Sequence, residues 1–366
     1  MRVTDTFEQD GRTHVQWRGR KLIFFGGCDY FRLSSHPTVL KALVTGLKQS
    51  GLSVAASRVT TGNHPLYPKL EKHLAAFFGA ESALLLANGY VTSMAVTQAL
   101  AGQFSHVLID ERAHSALKDA AQYLNCPVLQ FKHRTIDALA LTLNRCGRDT
   151  RPIVLTDGMF AHDGSVAPLA AYLSLLPRDG LLLVDDAHGA GTLGKTGKGT
   201  LELENVSRDR VVQCVTLSKA FGVYGGAVLC RKSLRNRIIA RSPVFIGSTP
   251  LPLPLAHAAG VALRVLRSDR SIRLRLNENA RRVKAALRAT RFDPPETPGP
   301  VVSIQLSSRA RIARLKRALL AADILPPFIH YPGSPAGGHF RFVISSEHTR
   351  PQLDDLIRVL VAFDAG

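Results

Sequence analysis

Residues 181–199 read LLLVDDAHGAGTLGKTGKG: four apolar side chains, two carboxylates, a histidine, then five glycines in eleven positions. An apolar run this short, bounded by turn residues, reads as a strand covered on both faces. The segment GAGTLGKT (189–196) also fits the phosphate-binding loop G-x-x-x-x-G-K-[ST] letter for letter. That loop needs a strand feeding straight into it and a helix opening at its Lys-Thr. Here Asp-Asp-Ala-His intervenes after the strand, and the following GKGT opposes a helix. The glycines therefore read as a strand-end loop of another kind, with a nucleotide hydrolase kept as the lesser alternative.

Working outward, HVLIDERAH (106–114), PIVLTDG (152–158) and VVQCVTLSK (211–219) repeat the same design, a short apolar run ending in polar residues. PKLEKHLAAFFG (68–79) carries apolar residues at helical spacing and stops at a glycine. Alternating helices and buried strands from about 37 to 240 predict an α/β fold with a doubly wound, mostly parallel sheet. Ligands of such sheets bind at the carboxyl ends of the strands, where Asp110, Asp157, Asp185 and Lys219 fall. At SPVFIGSTPLPLPLAHAAG (242–260) four prolines change the composition. Beyond it come the strands VVSIQL and HFRFVIS and the helices RARIARLKRALLAA and PQLDDLIRVLVAF, a smaller α+β domain. The organisation is thus an N-terminal segment 1–36, a large domain 37–240 and a C-terminal domain 241–366.

The chain has 366 residues, 45% hydrophobic and 20% charged, as a soluble globular protein does. No apolar run approaches the length of a membrane span, and the N-terminus has no signal-peptide core. Five scattered cysteines form no CxxC pair, so neither a disulfide framework nor a metal site is expected, and the cytoplasm is the expected location. The net charge of +19 favours anionic partners. Its densest stretch, 267–292, reads as the solvated face of a helix, and no nucleic-acid-binding module accompanies it.

Together, LLLVDDAHGAGTLGKTGKG and TLSKAFGVYGG (216–226) resemble the α-oxoamine synthases, fold-type I enzymes that use pyridoxal phosphate. HPTVLKAL, SRVTTGN, LEKHLAAFFGAESALLLANGY, DERAHSAL, DGMFAHDGSVAPL, GSTPLP and RFVISSEHT follow in the family's order, covering roughly residues 29–363. The resemblance is nearest to the 8-amino-7-oxononanoate synthases. It implies a Schiff-base lysine at Lys219, a carboxylate for the pyridine nitrogen at Asp185, and a histidine by the phenolic oxygen at His188. His114 matches the histidine stacked over the ring. Gly89 and Tyr90, opening a helix, would hold the phosphate on backbone N–H groups, and Thr216 would add its hydroxyl. Ser248 and Thr249 resemble the pair that reaches across the family's dimer interface to the partner's cofactor. Arg341 matches the arginine that clamps the amino-acid carboxylate.

The implied reaction is a decarboxylative condensation of alanine or another small amino acid with an acyl thioester, on coenzyme A or an acyl carrier protein, in a homodimer. Two alternatives keep the fold: an aminotransferase or decarboxylase, and a non-catalytic synthase subunit, a role that typically loses the lysine. Several positions depart from the family. Ala161 and His162 replace Ser-Met, and that serine bonds the cofactor's phenolic oxygen. Ser93 replaces Asn, Tyr67 replaces His, and Arg32 stands where glycine is usual. His330 and Gly333 replace Arg and Thr, and the family's N-terminal helix with its arginine has no counterpart in the chain.

Overall fold

The computed structural model describes residues 6–147, 149–330 and 337–365, so Gly333 lies outside the described residues. Its strands, in chain order, are β1 (Glu8–Asp10), β2 (His14–Trp17), β3 (Arg20–Ile23), β4 (Ser82–Leu86), β5 (His106–Asp110) and β6 (Val128–Phe131). They continue with β7 (Pro152–Asp157), β8 (Leu181–Asp185), β9 (Val211–Thr216), β10 (Gly226–Cys230), β11 (Val301–Ile304), β12 (Phe328–Ile329) and β13 (His339–Val343). Two units divide the chain: residues 36–160 with 166–268, and residues 1–35, 161–165 and 269–366. The passage expected at 240/241 lies within the first of these units. The helix Leu253–Ser268 falls in the first unit, and the N-terminal strands fall in the second.

The first unit holds a seven-stranded sheet in the order β4-β10-β9-β8-β7-β5-β6. β9, β8, β7, β5 and β6 run parallel, while β10 is antiparallel to both β9 and β4. Every residue of β7, β9 and β10 is buried, because helices cover both faces. Only the edge strand β6 shows exposed positions. The helix Pro37–Ser50 starts at a side-chain cap from His36 with proline at its first position, and ends at Gly51. A Cβ at Gly46 would meet His257 at 2.8 Å, so this glycine lets Pro37–Ser50 pack closely on Leu253–Ser268. Glu71, 4% exposed, accepts from Arg58, Arg235 and the Leu85 N–H, and so pins β4. Tyr67, buried where the family has histidine, donates to the Leu251 carbonyl at 2.7 Å.

In the second unit β1-β2-β3 and β11-β13-β12 form two three-stranded antiparallel sheets. Its apolar core gathers Phe25, Val283, Leu315, Phe340, Phe342 and Leu356. The basic stretch 267–292 presents the expected solvated face, with Arg267, Arg270, Arg275, Arg281, Arg282, Arg288 and Arg291 exposed, but not at every position. A helix ends at Ser268, another runs Ser271–Leu287, and within the latter Arg273 and Lys284 are buried. Lys284 Nζ donates to the Thr297 carbonyl and hydroxyl (both 2.8 Å) and to the Gly299 carbonyl (2.6 Å). This lysine closes the loop after its helix instead of facing solvent. Arg32 has φ +51° and is 4% exposed, with its guanidinium on the Phe24 carbonyl at 2.9 Å. The left-handed backbone explains why glycine suits that position in the family.

Candidate active site

Asp110, Asp157, Asp185 and Thr216 end β5, β7, β8 and β9 along one edge of the sheet. Lys219 lies in the loop that returns the chain from β9 to β10. Glycine is needed there for two physical reasons. Gly222 has φ +64°, and a Cβ at Gly226 would meet the Asn88 carbonyl at 2.4 Å. The loop therefore folds tightly against the end of β4 and leaves Lys219 half-buried, its Nζ 2.7 Å from His188 Nε2. His188, 6% exposed, sits in the turn after β8, where its carbonyl accepts from the Thr192 hydroxyl at 2.7 Å.

Asp185 is 7% exposed and accepts from the Ala187 N–H at 3.1 Å. Across the parallel register it faces Asp157, whose Oδ2 accepts from the His114 N–H at 2.9 Å. Burial, and then the nearby Asp185 charge, hold the Asp157 carboxyl well above the carboxylate range. His114 caps the helix Ser115–Ala121 with Nδ1 accepting from Ala116 N–H at 3.2 Å, which leaves the ring proton on Nε2. Burial lowers its basicity, with Asp185 opposing and Lys219 reinforcing the shift. Lys219, His188, Asp185, Asp157 and His114 thus form one group within the unit.

Gly89 precedes the helix Tyr90–Ala99, and its ideal Cβ would lie 2.6 Å from Thr216 Cβ. Any larger residue would separate the helix start from the end of β9. Thr216 donates to the Gly225 carbonyl at 3.2 Å and accepts from the Ser218 N–H at 3.2 Å. The Tyr90 ring packs edge-on to His114 at 6.0 Å, and its hydroxyl donates to Asp119. These residues fit pyridoxal phosphate. A half-buried amine stands beside an imidazole and a buried carboxylate, and a ten-residue helix opens where no Cβ fits. Ser248 and Thr249 line a separate small cleft with Arg58, Val91 and Phe245.

The glycine-rich loop has a role the sequence did not reveal. Ideal Cβ atoms at Gly158, Gly189 and Gly199 would all lie within 2.0–2.3 Å of the Asp186 carboxylate. That carboxylate is fully buried and accepts from Thr200 N–H (2.9 Å), the Thr200 hydroxyl (2.6 Å) and Gln213 Nε2 (2.6 Å). Burial raises it to about 6 despite these bonds. No helix opens at Lys195-Thr196. The Thr196 and Lys198 N–H groups bind Glu202 instead, and the next helix begins at Thr200. This removes the phosphate-loop alternative. Asp186 was missed because its glycine partners lie on either side of it in sequence, at 158, 189 and 199.

In the second unit Arg341 donates to the Ala161 carbonyl and to Cys28 Sγ, each at 3.3 Å. His162, on the same short segment as Ala161, packs its ring against His339 at 4.2 Å. Among the described residues no group of three or more His, Cys, Asp or Glu could hold a metal ion, and no helix is long and apolar enough to cross a membrane.

The profile of the family Aminotransferase class I and II matches residues 21–360. The 8-amino-7-oxononanoate synthase of Thioalkalivibrio sulfidiphilus is 34% identical over 345 residues, covering 93% of this chain and 88% of the relative. That of Methylococcus capsulatus is 34% identical over 95% of this chain and 90% of the relative. Among solved structures, serine palmitoyltransferase from S. paucimobilis with bound PLP and myriocin superimposes with a TM-score of 0.91 at 25% identity. It covers 97% of this chain and 90% of its own.

Proposed function

The chain belongs to the aminotransferase class I and II family, within it to the α-oxoamine synthases, and from that premise we propose a decarboxylative acyl transfer. The reaction joins the α-carbon of a small amino acid to the acyl carbon of a thioester. A C–S bond breaks to release a thiol, the amino-acid carboxylate leaves as CO2, and an α-amino ketone remains. Alanine is the amino acid named by the resemblance to the 8-amino-7-oxononanoate synthases. The single observation carrying the reading is Lys219 held 2.7 Å from His188 at the strand-end edge that also presents Asp185.

Pyridoxal phosphate, the cofactor, supplies an electron sink for negative charge at the α-carbon. The chain's own residues do the rest. Lys219 anchors the cofactor and, once released, takes and returns the α-proton. His188 orients the Lys219 amine through Nε2. Asp185 keeps a proton on the pyridine nitrogen, which it can do only as a carboxylate. His114, its Nδ1 held by the Ala116 N–H, packs over the ring face. Gly89, Tyr90 and Thr216 hold the phosphate at the helix start. Arg341 takes the amino-acid carboxylate, which its guanidinium fork suits. Ser248 and Thr249 serve a partner subunit's cofactor in a homodimer, and the enzyme works in the cytoplasm. The charge of +19 suits coenzyme A or an acidic carrier protein as donor, and a donor KM insensitive to ionic strength would count against that link.

The test is a visible spectrum of the purified protein with pyridoxal phosphate, followed by borohydride reduction and peptide mapping. A band fixed on Lys219, and one thiol released per turnover with an acyl thioester and amino acid, are the expected results. A label elsewhere overturns the site, and a band without thiol release favours transamination.

A further inference from the structure

Asp186 stands one residue beyond Asp185 and two before His188, and successive side chains of an extended strand leave opposite faces. Its backbone is fixed on both sides: the N–H donates to the Cys214 carbonyl at 2.8 Å, and the carbonyl accepts from the Ala190 N–H at 2.9 Å. Its carboxylate is the inner end of a hydrogen-bonded relay. Gln213 Nε2 donates to Asp186 Oδ2 at 2.6 Å and to the Lys198 carbonyl at 3.0 Å, and Gln213 Oε1 accepts from Arg208 Nη2 at 2.6 Å. Arg208 is steadied in turn by the Phe78 carbonyl, 2.9 Å from Nη2. Gln213 and Asp186 are both fully buried. Arg208, half-buried and pushed by burial down to about 10, stays charged, and its Nη1 is buried without a hydrogen-bond partner. An apolar side chain would fill the same space without that cost.

We propose that Arg208 and Gln213 are positioning residues for the reaction, holding through Asp186 the turn that carries Asp185 and His188. The inference rests on the reading of Lys219, Asp185 and His188 as the group that holds the cofactor. A glutamine amide can turn over and exchange its oxygen for its nitrogen. Arg208, which only donates, fixes that oxygen toward itself and so the nitrogen toward Asp186. Without it an amide oxygen can face the carboxylate, and two acceptors then meet where neither is satisfied. Asp186 is left with the Thr200 N–H and hydroxyl, which hold it from the next helix alone. Asp185 is its neighbour in the chain, and His188, two residues on, lies 2.7 Å from the Lys219 amine. A shift of the turn therefore reaches all three, and a misplacement of about 1 Å can cost a reaction on the order of a hundredfold. Every member of the relay lies within the first unit.

The holoenzyme is compared with Arg208→Met, Arg208→Lys and Thr200→Val. Steady-state kinetics use amino acid and acyl thioester, and visible circular dichroism reports how the bound cofactor is seated. Arg208→Met is expected to lower kcat about tenfold, with KM changed less than about twofold, and to weaken the dichroic band. Arg208→Lys, whose ammonium still donates to Gln213 Oε1, is expected to regain most of both. Thr200→Val removes a different donor to the same carboxylate at nearly constant shape, and carries the test if Arg208→Met does not fold. Its expected loss in kcat is about threefold. Unchanged kcat and dichroism beside a lower thermal midpoint, in whichever variants fold, mean that the relay serves stability alone and overturn the inference. If borohydride fixes no cofactor on Lys219 of the unaltered protein, the reading of the site fails and the inference falls with it.

Discussion

Asp157 and Asp185 face each other in register across β7 and β8, each buried at the end of its strand. Two carboxylates so placed cannot both ionise without cost, and Asp157 is the one whose proton affinity rises well above the ordinary range. Asp157→Asn is a near-isostere that carries no charge beside Asp185, as the raised proton affinity of Asp157 favours. Its side-chain oxygen still accepts from His114 N–H, and its amide faces Asp185. The expected loss in kcat is within about tenfold. Asp185→Asn removes the charge that holds the pyridine proton and lowers kcat on the order of 10²–10³ or more. Steady-state kinetics on the two variants decide it, and equal losses would reverse the assignment.

The placement of Asp157 and Asp185 at strand ends, and of Lys219 just beyond one, was legible because each follows an apolar run that a buried strand explains. The helix opening at Tyr90 was legible from the glycine that precedes it. What stayed hidden depends on partners remote in sequence. Asp186 reads as a second acid beside the first, and only packing shows Gly158 and Gly199 closing on it. The strands β1 to β3 escaped notice because they are three or four residues long, with β1 and half of β3 exposed, so they carry little apolar pattern. Lys284 looked like one more surface cation, since the carbonyls that claim it lie beyond the end of its helix.

If the glycine loop exists to enclose Asp186, it answers to size rather than to nucleotide. Gly189→Ala places a methyl 2.1 Å from Asp186 Oδ1 and forces the loop apart. Asp186→Asn turns an amide donor toward groups that already donate. Each variant is expected to destabilise the fold by about 1–3 kcal/mol, read as a lower thermal midpoint. Magnesium-dependent nucleotide binding by the unaltered protein would contradict the structural role.

Lys284→Met tests whether the buried ammonium holds the loop at Thr297 and Gly299. The variant keeps the apolar stem and abandons two carbonyls and a hydroxyl, while Thr297 also donates to the Asp163 carbonyl at 3.2 Å. A loss of about 1–3 kcal/mol in urea is expected. Trp17, the chain's single tryptophan, lies in β2 of the same unit and reports its unfolding. A midpoint unchanged within error would mean the amine contributes nothing net there.

Acid should weaken the same unit through histidines that it keeps neutral. His348, 4% exposed, accepts from Ser345 N–H at 3.0 Å, lies 3.2 Å from the Phe24 carbonyl through Nε2, and packs on Phe25 at 4.3 Å. Burial, and then Arg32, push it down to about 3. The unfolded chain takes up this proton near 6.5 and the folded chain does not, so stability falls as pH drops through 6.5. Between pH 7 and 5 the loss is about 2 kcal/mol from His348, and His339, pushed to about 4, adds to it with the same sign. Asp186, raised to about 6, and Asp157, held well above the carboxylate range, work oppositely in the other unit: their folded carboxyls bind protons that the unfolded chain releases, which favours folding as pH falls. Trp17 lies in the unit that holds both histidines, so urea midpoints from its fluorescence are expected to fall between pH 7 and 5, and to fall less in His339→Phe. A fall no smaller in His339→Phe than in the unaltered chain would mean that the fold does not keep that ring neutral.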